Sequence, residues 1–283
     1  MSFRVGVDKI RSVKVQGATN VAIFGLKLFV SEAEKLKTNN ANIFLNKLSK
    51  VKTVLINARA NEPMLRNVLE LFYKSIYDKA RVKDLKQRLV SSQKTFLEQL
   101  KNDFEKIAFN GADLIKNGDV VFTHCHSSSV MRVFKQASKK TDFSVVCTET
   151  RPLFQGRKTA KELVSMGIET KMVVDSHAFS EIKDCNKIFL GADVLSGEGF
   201  VNKVGSYNVA YAAKVFKKIL YVCSHTLKYS PKIASIEQRS PSEVWKNPPK
   251  SLIIENPSFE IIPWKFVKRV VSERSVKKYG GLL

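Results

Sequence analysis

A chain of 283 residues that is 44% hydrophobic can bury a full core, and it is too apolar to be a disordered tail. Its 48 Lys and Arg against 26 Asp and Glu give a net charge of +22, which excludes an acidic solvating segment and attracts polyanions: phosphorylated metabolites, RNA or an acidic protein partner. The excess is spread along the chain, with no Lys/Arg block and no interleaved aromatics, so it reads first as a solvated basic surface.

The opening residues Met1, Ser2, Phe3, Arg4 and Val5 contain no apolar signal-peptide core. The best apolar run, 21–30, is interrupted by Gly25 and Lys27, so no membrane span is expected. Four cysteines, Cys125, Cys147, Cys185 and Cys223, show neither CxxC nor metal-type spacing. Free thiols, a reducing cytoplasm and no metal or other cofactor are the expectation.

Residues 1–112 predict a helical amino-terminal domain. Val21, Phe24 and Leu28 share one face, and Leu65, Val68, Leu69, Phe72 and Ile76 another. A third pattern, Leu85, Leu89, Phe96, Leu100, Phe104 and Ile107, is long and stops at Asn110-Gly111. Two polar stretches interrupt the helices. Gln16, Gly17, Ala18 and Thr19 form a glycine turn into a helix with a hydroxyl near its start, and Arg59 sits among small residues after an apolar run. Backbone N–H groups and a planar guanidinium are both suited to a phosphate.

Residues 113–283 change to alternating strand and helix. Strand-like runs at 120–123, 143–148, 171–175, 187–191, 219–224 and 252–255 are separated mostly by helix-length segments. That alternation predicts an α/β domain with a doubly wound, mostly parallel, Rossmann-like sheet. Neither GxGxxG nor a P-loop is present, so nucleotide-binding versions of the fold are not supported. Polar clusters close several strands: Thr148-Glu149-Thr150-Arg151, Asp175-Ser176-His177, Gly191-Ala192-Asp193 and Ser224-His225. The glycines at 197, 199 and 205 suit a hairpin-like loop with Asn202 and Lys203 at its return, and the prolines at 241–249 an exposed loop.

Chemistry concentrates in Thr123-His124-Cys125-His126-Ser127-Ser128-Ser129, which joins the first strand to the next helix. A thiol there stands at a strand's carboxyl end, before a helix start rich in hydroxyls. That position suits a phosphate on Ser127 and Ser128 and is expected to favour the thiolate of Cys125. A buried packing cysteine beside an ordinary serine cap is the alternative.

In this order and spacing, Thr123-His124-Cys125-His126-Ser127, Glu149-Thr150-Arg151-Pro152, Gly191-Ala192-Asp193 and Asn202-Lys203-Val204-Gly205 resemble one superfamily. It joins ribose-1,5-bisphosphate isomerase, methylthioribose-1-phosphate isomerase and the alpha, beta and delta regulatory subunits of translation initiation factor 2B. Gln16-Gly17-Ala18, Arg59 and Lys228 fall where the family keeps phosphate-side residues, so the resemblance covers nearly the whole chain. It implies Cys125 as proton acceptor and Asp193 as proton donor. It further implies Gln16, Gly17, Ala18, Thr19, Arg59, Ser127, Ser128, Asn202, Lys203 and Lys228 as substrate contacts. The regulatory subunits generally lack the Cys, which favours an enzyme. His126-Ser127-Ser128 resembles the bisphosphate isomerases, implying conversion of ribose 1,5-bisphosphate to ribulose 1,5-bisphosphate in archaeal AMP breakdown. A methylthioribose-1-phosphate isomerase and a regulatory binding module are the alternatives. The family also implies a homodimer, building to a hexamer. Gln16 departs from the Arg usual at its position and makes that contact neutral.

Overall fold

The fold is that of a computed structural model, which describes residues 1–78, 80–233 and 236–281. It divides into two compact units: Met1–Asn102 with Leu227–Ser230, and Asp103–Thr226 with Pro231–Leu283. The first unit is helical. It contains α1 (Phe3–Arg11), α2 (Ala18–Lys35), α3 (Ala41–Ala58), α4 (Pro63–Ser75) and most of α5 (Val82–Ala112), whose last turns belong to the second unit. Ile10, Leu26, Phe29, Phe44, Leu48, Leu55 and Leu65 are fully enclosed. Gly25 is needed where α2 crosses α4, because a Cβ there would sit 2.3 Å from Leu65 Cδ1. The faces predicted from Val21 and Leu28 and from Leu65 to Ile76 are buried. No helix among the described residues is long and apolar enough to cross a membrane.

The second unit is built on a seven-stranded sheet. Its strands are β1 (Val120–Thr123), β2 (Ser144–Thr148), β3 (Glu169–Val173), β4 (Lys187–Gly191), β7 (Ile219–Cys223), β9 (Arg269–Val271) and β10 (Val276–Lys277). The spatial order is β10-β9-β7-β4-β1-β2-β3, with every pair parallel except β9 with β10. Helices α6 (Ser128–Ala137), α7 (Gln155–Ser165), α8 (Ala178–Ile182) and α9 (Ser206–Val215) connect and cover it. The central strands are buried almost throughout, as sheets covered on both faces require. A three-stranded antiparallel sheet, β5 (Val194–Leu195), β6 (Gly199–Lys203) and β8 (Phe259–Pro263), is appended in the order β5-β6-β8.

From β1 the chain moves to β2 and β3 on one side and then returns to place β4 on the other. The order therefore reverses between β1 and β4, and at such a switch point a crevice opens at the strands' carboxyl ends. One expectation fails. Residues 252–255 form no strand: Leu252 and Ile253 are exposed and unpaired in any ladder, and β8 and β9 take the places in the sheets. The hairpin expected from the glycines forms, with β5 and β6 antiparallel. It turns after Leu195, and Asn202 and Lys203 close β6.

Candidate active site

Cys125 follows β1 and Asp193 follows β4, so neighbouring parallel strands deliver both to the switch point. Their charges are felt mutually, together with those of Lys203 and Asp175. Close approach depends on Gly191, where a Cβ would meet Ser127 Oγ at 2.4 Å. Asp193 is partly exposed and anchored by its own N–H, which donates to the Val201 carbonyl at 2.8 Å. Lys203, 5% exposed, stands at the end of β6, and burial lowers its pKa. Its turn is fixed by Ser206, which accepts from the Asn202 amide at 2.9 Å and donates to the Lys203 carbonyl at 2.6 Å.

Cys125 occupies the left-handed region at φ 67°, a conformation costing a non-glycine residue on the order of 1 kcal/mol or more. Its backbone is held on both sides. The N–H donates to Thr150 Oγ1 at 3.0 Å, and the carbonyl accepts from Thr159 Oγ1 at 2.8 Å. The proton order beyond Thr150 follows from a carbonyl that can only accept. His124 Nε2 donates to the Val204 carbonyl at 2.9 Å, and burial lowers the imidazole pKa and keeps it neutral. Nδ1 is then bare and accepts from Thr148 Oγ1 at 2.6 Å, which leaves Thr150 as donor to Thr148 at 3.2 Å. Asp175 accepts from the Thr150 and Arg151 N–H groups at 2.8 and 2.6 Å and holds the turn that carries Thr150.

The thiol itself departs from expectation. Burial pushes Cys125 up to about 12, outweighing the His126 N–H and Lys203, while Asp193 and Asp175 push the same way. A helix start acts weakly on a group enclosed beside two carboxylates, so the resting sulfur is a neutral thiol. Ser127 caps α6, accepting from the Val130 N–H at 3.5 Å, and Ser128 is exposed in its first turn. The His126 ring lies 3.2 Å from Glu162. Cys147, Cys185 and Cys223 are free and buried in the core as anticipated.

A family model described as the Initiation factor 2 subunit family matches residues 14–278. The chain belongs to this family. It is 32% identical to the ribose 1,5-bisphosphate isomerase of Thermococcus kodakarensis, over 95% of this chain and 88% of that one. It is also 32% identical to the protein of the same name from Methanocaldococcus jannaschii, over 94% and 88%. A crystal structure of translation initiation factor eIF-2B from Pyrococcus horikoshii matches with a TM-score of 0.82 at 25% identity, covering 98% of this chain and 96% of that one. The 5-methylthioribose 1-phosphate isomerase of the same organism matches with a TM-score of 0.79 at 22% identity, covering 97% and 84%.

Other residues of this family member hold positions the sequence alone did not assign. Arg239 is gripped by Glu243 at 2.8 Å through Nε and by Glu237 at 3.4 Å, and both Arg239 and Glu243 act on Lys203. Glu260, whose pKa burial raises, accepts from the Tyr207 N–H at 2.6 Å and occupies the start of α9. That helix start is therefore filled by the protein's own carboxyl group. In the first unit, Gly17 (φ 84°) precedes α2 and no side chain caps it, Ala18 is buried, Thr19 partly so, and Gln16 and Gly17 are exposed. Arg59 ends α3 with Glu62 3.8 Å away, so its charge is partly matched. Lys228 is 8% exposed, and Asn67 of α4 donates to the carbonyls on either side of it, Leu227 and Tyr229, both at 2.8 Å.

Proposed function

We propose that this protein is an aldose–ketose isomerase that converts ribose 1,5-bisphosphate to ribulose 1,5-bisphosphate. The observation that carries the reading is the pairing of Cys125 and Asp193 at the carboxyl ends of adjacent strands β1 and β4, beside the buried Lys203. It is supported by the 30–32% identity of four archaeal proteins named for this reaction.

At rest the pair is a thiol and a carboxylate. Moving one proton from Cys125 to Asp193 creates the required base and acid, and Lys203 stabilises the thiolate. The ribose ring is locked by its C1 phosphate ester, so Asp193 protonates the ring oxygen as the C1–O bond breaks, while the thiolate takes the C2 proton. In the resulting enol, Asp193 recovers a proton from the C2 hydroxyl as Cys125 delivers its proton to C1. Cys125 is again a thiolate and Asp193 again an acid, ready for the next turnover, and C2 has become the carbonyl. The burial that raises the thiol to about 12 makes its conjugate base strong enough to attack a carbon acid.

Ser127, Ser128, Asn202 and Lys203 contact the substrate in this reading. Gln16, Gly17, Ala18, Thr19, Arg59 and Lys228 of the first unit have the chemistry for a phosphate. The substrate suits AMP breakdown in archaea, the source of those four relatives, and four free thiols suit the cytoplasm. A homodimer, building to a hexamer, is the assembly the family resemblance implies, and it is supported by the apolar Val164, Met172, Val174 and Phe179, exposed on or near the edge strand β3.

A coupled assay on ribose 1,5-bisphosphate, with methylthioribose 1-phosphate as control, tests the reading. Cys125→Ser and Asp193→Asn are each expected to lose about a hundredfold or more. Near-parent rates in both would overturn the roles. A second reading, a regulatory binding module, is favoured by the neutral Gln16 and by the 27% identity to a Pyrococcus abyssi protein named as a putative initiation factor subunit. It requires no turnover of either sugar phosphate.

A further inference from the structure

We infer that Thr150, with Thr148 and His124 behind it, forms a one-way hydrogen-bond chain that positions Cys125 for proton transfer. This inference rests on the isomerase reading and assigns residues that touch no reacting atom.

The chain begins at the thiol-bearing residue itself. Cys125 N–H enters Thr150 Oγ1, Thr150 donates to Thr148, Thr148 to His124 Nδ1, and His124 Nε2–H ends on the Val204 carbonyl. Every proton has one destination, because the last acceptor is a carbonyl and the imidazole is neutral. Thr148, Thr150 and His124 are all buried, so water does not compete for these bonds. The two ends matter most. One is the left-handed backbone of Cys125, and the other is the residue immediately after Lys203. The chain thus links the turn after β1 to the turn after β6 and fixes the thiol relative to the ammonium that would stabilise its ionised form. Gly205 completes the fit: at φ 101° it lacks the Cβ that would lie 2.9 Å from His124 Nε2.

Without the Thr150 hydroxyl, the Cys125 N–H loses its acceptor, and the chain is cut at its first link. The backbone of Cys125 is then held on its carbonyl side by Thr159 but no longer at its N–H, and it relaxes toward an unstrained conformation, carrying the sulfur with it. A displacement of about 1 Å at a proton-transfer centre reduces rates by up to roughly a hundredfold, without a matching loss of substrate binding.

The test compares Thr150→Val and Thr150→Ser in the full chain. Valine keeps the branched shape, and with it the backbone strain at φ 61°, but removes the hydroxyl; serine keeps the hydroxyl. Thr150→Val is expected to lower kcat by about tenfold or more, with KM within about twofold, while Thr150→Ser stays within about threefold of the parent. In parallel, the iodoacetamide labelling rate of Cys125, mapped by mass spectrometry, is expected to shift at least about threefold in the valine variant only. Thermal melting confirms that both variants are folded. The inference is overturned if valine matches the parent in both readouts, or if serine behaves like valine, since packing by the methyl would then be the cause. If the parent turns over no ribose 1,5-bisphosphate, the isomerase reading fails. The labelling rates still decide whether the chain positions the thiol.

Discussion

Gly205 shows how much one absent carbon can decide. Its φ of 101° and its 2.9 Å clearance from the His124 ring mean that Gly205→Ala both strains the backbone and displaces the imidazole. A loss of about 2–3 kcal/mol is expected, read as a lower urea midpoint. Gly118→Ala is the control: its φ is 78°, but open space surrounds the added carbon, so about 1 kcal/mol is expected. Equal losses would mean that the imidazole yields freely. At this scale the sequence was partly legible. The placement of Cys125 and Asp193 after strands was visible because strand-end residues of unusual chemistry stand out against Val and Ile. Thr159 was not, since nothing local marks a mid-helix threonine as the partner of a carbonyl 34 residues earlier. The thiol's raised pKa was hidden for the same reason, because burial and the neighbouring Asp175 arrive from separate strands.

Among the elements, β1 and β4 occupy the spans their apolar runs suggested, because a central parallel strand is apolar on both faces and bounded by turn residues. Residues 252–255 had the composition of a strand but found no partner, whereas β9, three residues long, was fixed by pairing with β7. Pairing depends on what lies alongside, which composition does not record. The 3-10 turn Thr226–Lys228 depends on α4 in a similar way. Asn67→Ala would strip two part-buried carbonyls of their donor, at a cost of about 1–2 kcal/mol. In the isomerase reading, Lys228 then loses its fixed position, so KM for the bisphosphate should rise by about tenfold with a smaller change in kcat. Steady-state kinetics checks this, and a change in kcat alone would remove Lys228 from the phosphate contacts.

For the whole molecule, three buried thiols and the half-buried Cys125 set an alkaline limit. Burial raises Cys147 to about 11, Cys125 and Cys185 to about 12, and Cys223 further still. Below about pH 8.5 all four are protonated whether the chain is folded or not, and they leave stability unchanged with pH. Above it the unfolded chain releases protons that the folded one retains, so fewer protons are bound unfolded and stability falls as pH rises. Lys203, whose folded pKa is lowered, opposes this. A net loss of stability between about pH 8.5 and about pH 10 is expected from urea midpoints, and a smaller loss in Cys223→Ala. A slope unchanged by that substitution would show that the thiols are not its source.

The division of the chain has a consequence for its synthesis. Leu227–Ser230 belongs to the unit otherwise made of Met1–Asn102, yet the ribosome adds it more than a hundred residues later. At about 5–20 residues per second, the helical unit waits several seconds or more after its last helix emerges for the tetrapeptide that carries Lys228. During that interval Asn67 lacks these two carbonyls, and the nascent helices are held by their apolar core and by contacts of their own such as Lys52 with Glu70. A fragment ending at Asn102 reproduces this waiting state, with its Lys228 position empty. Adding the 227–230 peptide in trans would supply the missing piece, much as translation does when it reaches Ser230.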